Sequence, residues 1–412
     1  MSPSLPLLRS LISRAAAPRP LHALSRPAAA RTFASTSTAH ADPPKVPVAL
    51  ISKIRSARPG TPLSLARSAL IAANHDLDGA LAWIADQAAE SGAKKAEKLA
   101  GRAADQGLVA VAVLADGSGG VGVRAALVEL RCETDFVART DEFRELAEGI
   151  ARSLAFFAEP SSPSSSAAAA AAAAAHQLVQ LDPKAATLLD TPVVPPPHKA
   201  AALAAAAGSG DSSAPPSHET VHTSLASLVS RLGENIRLHR ASSVALEPTM
   251  PADDPPASER SVYLASSYVH ASKTPTAAAA DGVQSGLLGG LLLSRLPASS
   301  APSVDPAEVK GLLRALARQA VALPTTCIRG AGPAPSSTSS GAESGEPSTA
   351  LYDQALITMA PSAKFEFEHG SSVGDVLSRW SEARGVDGSG LEVVELARWE
   401  LGEEGEGEQA QA

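Results

Sequence analysis

The sequence predicts an α+β protein: a three-helix unit followed by an α+β core of two subdomains, with low-complexity inserts between ordered blocks. Three observations carry this. Apolar residues recur at helical spacing from Val48 to Gln87, β-rich runs flank a glycine turn at Asp116–Gly120, and Ala/Ser/Pro tracts interrupt the rest. Such tracts bury too little apolar surface to offset the entropy of ordering them, so they read as loops. Aromatics make up only 3% of the 412 residues, which suits modest folded modules separated by such loops.

Residues 1–40 stand apart. They hold Arg9, Arg14, Arg19, Arg26 and Arg31 and no acid, and Leu7, Leu8, Leu11, Ile12 and Ala15 form a helical stripe. An Arg-rich, acid-free, amphipathic start is the pattern of a mitochondrial transit peptide, and Arg31–Ser35 resembles a matrix-protease site. Without this segment the formal net charge falls from −8 to −13. A chain that acidic is poorly suited to holding a phosphate backbone, which requires clustered Lys and Arg, so nucleic acid is set aside. No apolar run is long enough for a transmembrane helix.

The unit at 46–90 reads as three short helices. Leu50, Ile51 and Ile54 line the first, which stops at Pro59-Gly60. Thr61 is the expected cap of the second, with Pro62 at its first position, and Asp76 caps the third, lined by Leu77, Ala80, Leu81 and Ile84. Beyond it Lys94, Lys98 and Arg102 recur every four residues and share a face if the helix continues. That face is either solvated or a contact for an acidic partner surface.

The block 100–158 opens with two β-rich runs, Gly107–Leu114 and Val121–Leu130, joined by the glycine turn as a hairpin. Gly117–Gly122 formally matches GxGxxG. A strand follows it, whereas the dinucleotide fingerprint needs a helix whose first N–H groups hold the pyrophosphate. After the second strand comes Cys132-Glu133-Thr134-Asp135-Phe136-Val137-Ala138-Arg139. Thr140 then caps a helix with Asp141 and Glu142 in its first turn and Phe143, Leu146, Ile150 and Leu154 as its buried stripe.

An insert at 159–217 includes nine alanines, Ala167–Ala175, and one island of helix potential at Asp182–Leu189. The second core block, 218–401, has a helix from Val221, a strand at Ile236–Leu246 with Val262–Val269 as its expected neighbour, and a helix at Val309–Val321. A last helix near Val373–Trp380 and a strand at Leu391–Trp399 complete it. Inserts are expected within it at 274–303 and 330–349, and the tail 402–412 is acidic.

Catalysis finds little support. Cys132 could serve as a nucleophile only with a base and an oxyanion site, and His270 is the one candidate base. A small buried thiol at a strand end is the plainer reading. Two cysteines make neither a disulfide framework nor a zinc site, and the histidines lack ligand spacing, so no metal or cofactor is expected. Asp135-Phe136 is more distinctive. Phe136 either packs locally while Asp135 caps a turn, or it is a presented wedge: an aromatic entering a partner pocket beside an acid that rearranges local hydrogen bonds.

Cys132–Arg139 followed by Asp141-Glu142-Phe143 closely resembles the signature of the elongation factor Ts family. Other blocks agree in order. Ala69–Trp83 is similar to that family's ubiquitin-associated-like module, Arg102–Val109 to the opening of its core, Leu232–Arg240 to a second signature, and Gln354–Ile357 with Val373–Leu377 to a third. The departures are Arg58–Pro62 in place of a Thr-Gly-rich turn, the expanded inserts, and the absence of coiled-coil heptads, so no homo-oligomer is carried over. The resemblance implies a non-enzymatic partner of elongation factor Tu in the mitochondrial matrix. It would promote exchange of GDP for GTP, with Thr134, Asp135, Phe136, Val137 and Arg139 at the GTPase and Asp135 and Phe136 near its magnesium site. Lys94, Lys98 and Arg102 are a possible second contact. The alternative, a ubiquitin-binding adaptor resting on the three-helix unit, fits a matrix protein poorly.

Overall fold

The computed structural model describes residues 46–58, 60–160, 177–197, 200, 219–248, 261–272, 281–330, 348–362 and 365–403. The expected transit segment, the alanine tract, most of 330–349 and the tail beyond 403 lie outside them.

Helices α1 (Val48–Ala57), α2 (Leu63–Ala72) and α3 (Leu77–Leu99) close around a small core of their own. Ile51, Ile54, Ala66, Ala69, Leu70, Ala80 and Ile84 fill it, which is the stripe the spacing predicts, and Trp83 packs at its edge. Asp76 caps α3, accepting from Gly79 N at 2.7 Å. The cap expected at Thr61 is not formed: Pro62 occupies that position, and the Thr61 hydroxyl donates instead to Arg58 O at 2.8 Å. Pro62 already fixes an extended φ there, so the helix starts without a side-chain cap. α3 runs past residue 90 to Leu99 because Ala, Lys, Glu and Leu, all good helix formers, dominate that stretch.

The core has four layers, helix–sheet–sheet–helix. The first sheet has the order β3–β4–β2–β1–β6, with β1 at Gln106–Asp116, β2 at Val123–Cys132, β3 at Val179–Leu181, β4 at Arg237–Leu246 and β6 at Val283–Gly286. All its pairings are antiparallel, and β1 and β2 form the expected hairpin. One face carries Leu108, Ala110, Ala112, Ala126, Val128 and Leu130 beneath α4 (Asp141–Phe157) and α5 (Val221–Leu232). The other carries Val109, Val111, Val123, Ala125 and Leu127 against the second sheet, so β1 and β2 are covered on both sides. That double burial explains their continuous apolar runs.

The second sheet has the order β5–β7–β8, from Ser261–His270, Leu288–Pro297 and Glu392–Glu400. Its outer face holds Leu264, Leu292, Leu296 and Val393 under α6 (Pro306–Ala322) and α7 (Val373–Ala383).

Two expectations fail here. Val262–Val269 is not the neighbour of the strand at Ile236–Leu246: β5 pairs with β7 over its whole length, while β4 lies between β2 and β3. Successive strands usually pair, but both edges of β4 are taken, one by a strand from inside the expected insert at 159–217. The insert expected at 274–303 contains β6 and β7, and β7 is the central strand of its sheet. Its Leu/Gly/Ser composition looks like linker for a steric reason. A Cβ on Gly289 would lie 3.2 Å from Val109 and Val111, and one on Gly290 would lie 2.7 Å from Val321. The glycines let β7 approach the first sheet on one side and α6 on the other. The helical island at Asp182–Leu189 reduces to one turn, Ala186–Leu189.

Candidate functional site

β2 delivers the chain to the site. Its last residue, Cys132, is fully buried, and the thiol donates to Thr134 O at 3.2 Å. Burial, reinforced by the charge of Glu234, pushes this thiol up to about 12. It is therefore protonated at neutral pH and lacks the thiolate that nucleophilic chemistry needs. His270, its proposed base, ends β5 in the other sheet.

A single helical turn follows, Asp135–Ala138, bracketed by two caps. Thr134 Oγ1 accepts from Val137 N at 3.4 Å. At the far end Thr140 Oγ1 donates to Val137 O at 2.8 Å and accepts from Phe143 N at 3.3 Å, starting α4. Asp135 sits in the first turn, where the exposed N–H groups favour a negative charge, and it pairs with Arg139 at 2.7 Å.

Within this turn the side chains divide. Val137 joins the core beneath α4, whereas Phe136 is 80% exposed. Phe136 thus does not pack locally. Of the five residues expected at the partner, Asp135, Phe136 and Arg139 lie at the surface, while Val137 is turned inward and Thr134 is occupied with hydrogen bonds. Val137 anchors the turn to the core in this structure.

A second loop grips the first. α5 ends at Gly233, whose left-handed φ of +74° lets its N–H close on Val229 O. Glu234 then accepts from Thr134 twice, from the hydroxyl at 2.6 Å and from the N–H at 3.1 Å. In return Glu133 Oε1 accepts from Asn235 N at 2.7 Å, and Asn235 Nδ2 donates to Arg102 O at 2.8 Å.

The basic stripe does not survive as one face. Lys94 pairs with Glu90 at 2.7 Å on the surface of α3, and this contact lowers the Glu90 carboxyl. Lys98 lies one turn on, but α3 ends at Leu99, so Arg102 leaves the helix and lies 3.4 Å from Glu133. Arg102 belongs with the site, not with the lysines. Lys95 is also exposed, but it donates to Ser230 O at 2.9 Å and ties α3 to α5.

Sequence reasoning assigned no role to Glu133, Glu234 or Asn235. The available signal was the pairing of two signatures, one ending β2 and one ending α5, each with a carboxylate at the element's end. Among the described residues, no group of three or more His, Cys, Asp or Glu could hold a metal, and no helix is long and apolar enough to cross a membrane.

No family model matches the chain. Curated relatives do. The chain is 33% identical over 374 residues to the mitochondrial elongation factor Ts of Coprinopsis cinerea, covering 88% of this chain and 93% of that protein. It is 32% identical over 412 residues to that of Malassezia globosa, covering 91% and 92%. With that of Mycosarcoma maydis the identity is 30% over 413 residues, covering 88% and 86%.

Proposed function

The chain belongs to the elongation factor Ts family and is a mitochondrial translation elongation factor, and from that premise we propose that it binds elongation factor Tu in its GDP state and accelerates GDP release. The observation that carries this reading is Phe136, an exposed aromatic on a turn capped at both ends. An aromatic held out on a short rigid turn loses little freedom on entering a pocket, which favours it as an anchor.

Asp135 rides beside it. Magnesium in a GTPase bridges nucleotide oxygens and protein ligands, so a carboxylate and a ring pressed into that region loosen the hold on GDP. The factor then binds the empty GTPase more tightly than the GDP form, and linkage requires that nucleotide binding weaken the factor by the same ratio. Direction comes from nucleotide concentrations, and no covalent step is involved. Contact falls to Asp135, Phe136 and Arg139, with Thr134 and Val137 as their supports.

The test follows release of a fluorescent GDP analogue from mitochondrial elongation factor Tu. The chain from residue 46 onward accelerates release, and Phe136→Ala removes about 30-fold of that acceleration, the scale of an anchor worth about 2 kcal/mol. A folded wild-type chain that leaves the release rate unchanged overturns the proposal.

A further inference from the structure

We propose that Glu234 is a positioning residue for exchange: from the loop after α5 it fixes the direction in which the Asp135–Ala138 turn presents Phe136. The inference rests on the reading of Phe136 as the wedge. Four residues of helix have no stability of their own, since forming a first turn fixes several dihedral angles for one hydrogen bond. The turn's orientation therefore depends on what holds its ends. Thr140 and the buried Val137 hold the C-terminal side. On the N-terminal side the Thr134 hydroxyl accepts from Val137 N, and Glu234 in turn accepts hydrogen bonds from that hydroxyl and from the Thr134 N–H.

Those two bonds are charge-assisted and share one carboxylate, so they set angle as well as distance. The reciprocal bond from Asn235 N to Glu133 stops the two loops sliding past each other. The latch joins residues a hundred positions apart, and its far side is itself fixed, because Ser91 and Lys95 of α3 bond Ser230 on α5. Phe136 is thereby referred to the helical layer, not to a free loop. Glu234 touches neither nucleotide nor GTPase in this scheme. It acts through Thr134.

The test is a double-mutant cycle on the mature chain, reading the maximal exchange rate and the half-saturating concentration separately. Glu234→Ala lowers the maximal rate by about tenfold, within the loss set by Phe136→Ala, because it misdirects the ring without removing it. The half-saturating concentration changes far less. In a Phe136→Ala background Glu234→Ala adds no further loss, because both remove the same presented ring. Glu234→Gln, which keeps the shape and one acceptor, falls between the two. Leu228→Ala in α5 serves as the control, losing comparable thermal stability while keeping the maximal rate. Glu234 losses that multiply with Phe136→Ala, or a Glu234→Ala chain at full maximal rate while Phe136→Ala is impaired, overturn the positioning role alone. Phe136→Ala with undiminished exchange overturns the wedge and this inference together.

Discussion

Phe136 and Val137 are adjacent in the chain and opposite in burial, 80% exposed against 8%. A helical turn places consecutive side chains about 100° apart, so one turn can anchor itself with one residue and present the next. The caps at Thr134 and Thr140 leave the turn no room to rotate and exchange the two.

The two substitutions should therefore separate stability from activity. Val137→Ala removes two buried methyl groups and costs about 2 kcal/mol, read as a lower midpoint in chemical denaturation. Phe136→Ala leaves that midpoint within about 0.5 kcal/mol of wild type, as for other exposed positions, while exchange falls. Equal stability losses from the two would contradict the division of the turn.

Asp135 and Arg139 form an exposed pair one turn apart, and such pairs contribute only about 0.3–0.5 kcal/mol. Asp135→Ala should thus leave thermal unfolding nearly unchanged, with the drop appearing in nucleotide release. A folding defect in Asp135→Ala, with exchange per folded molecule intact, would return Asp135 to a structural role.

Cys132 gives a pH-dependent test. Its folded value near 12 lies above the ordinary thiol value of 9.0, so its contribution to stability is complete below about 9 and is lost as pH rises toward 12. At pH 8 an alkylating reagent should modify the half-exposed Cys327 and spare Cys132 until the chain unfolds. Glu234→Gln lowers the Cys132 value by removing one of the charges that raise it, while burial, the largest cause, still holds it above the ordinary range. Rapid labelling of Cys132 in the folded chain would refute this environment.

Much of the fold was legible because periodicity reports burial. Phe143, Ile150 and Leu154 fall on the buried stripe of α4, and Val309, Leu316 and Ala320 on that of α6. What composition hid was β7, since glycines that thin a strand between two layers look the same as glycines in a linker. β3 was hidden because three residues on a sheet edge carry no period at all. At the site, the sequence singles out Asp135 and Phe136, but Glu234 acquires its role only through a contact across a hundred residues that no local pattern encodes. Arg102 was misplaced for a simpler reason: spacing by four implies a shared face only while the helix lasts, and α3 stops three residues short.

The strand that leads into the Asp135–Ala138 turn is also tied down by a buried charge, which gives the last prediction. Glu129 of β2 is fully buried between the sheets and takes Arg131 at 2.6 Å and Arg240 of β4 at 2.5 Å. Both arginines reach onward to the end of β8: Arg240 donates to Glu400 O and Arg131 to Glu403 O, each at 3.0 Å, while the Arg240 guanidinium lies 4.6 Å from the Trp399 ring centre. One carboxylate thus serves two cations that staple the last strand across the sheet interface. Removing it leaves the largely buried Arg131 without a counter-charge and Arg240 with only Glu403, 3.8 Å away, a loss on the order of 3–5 kcal/mol when one partner of a buried pair is deleted. Glu129→Gln keeps the volume and should still lower the unfolding midpoint by about that amount. Added salt should barely change the loss, because buried pairs are weakly screened. A surface pair such as Lys94–Glu90 should respond in the opposite way, with a small effect that fades in salt. If Glu129→Gln unfolds at the wild-type midpoint, the staple contributes nothing and apolar contact alone holds β8 against the first sheet.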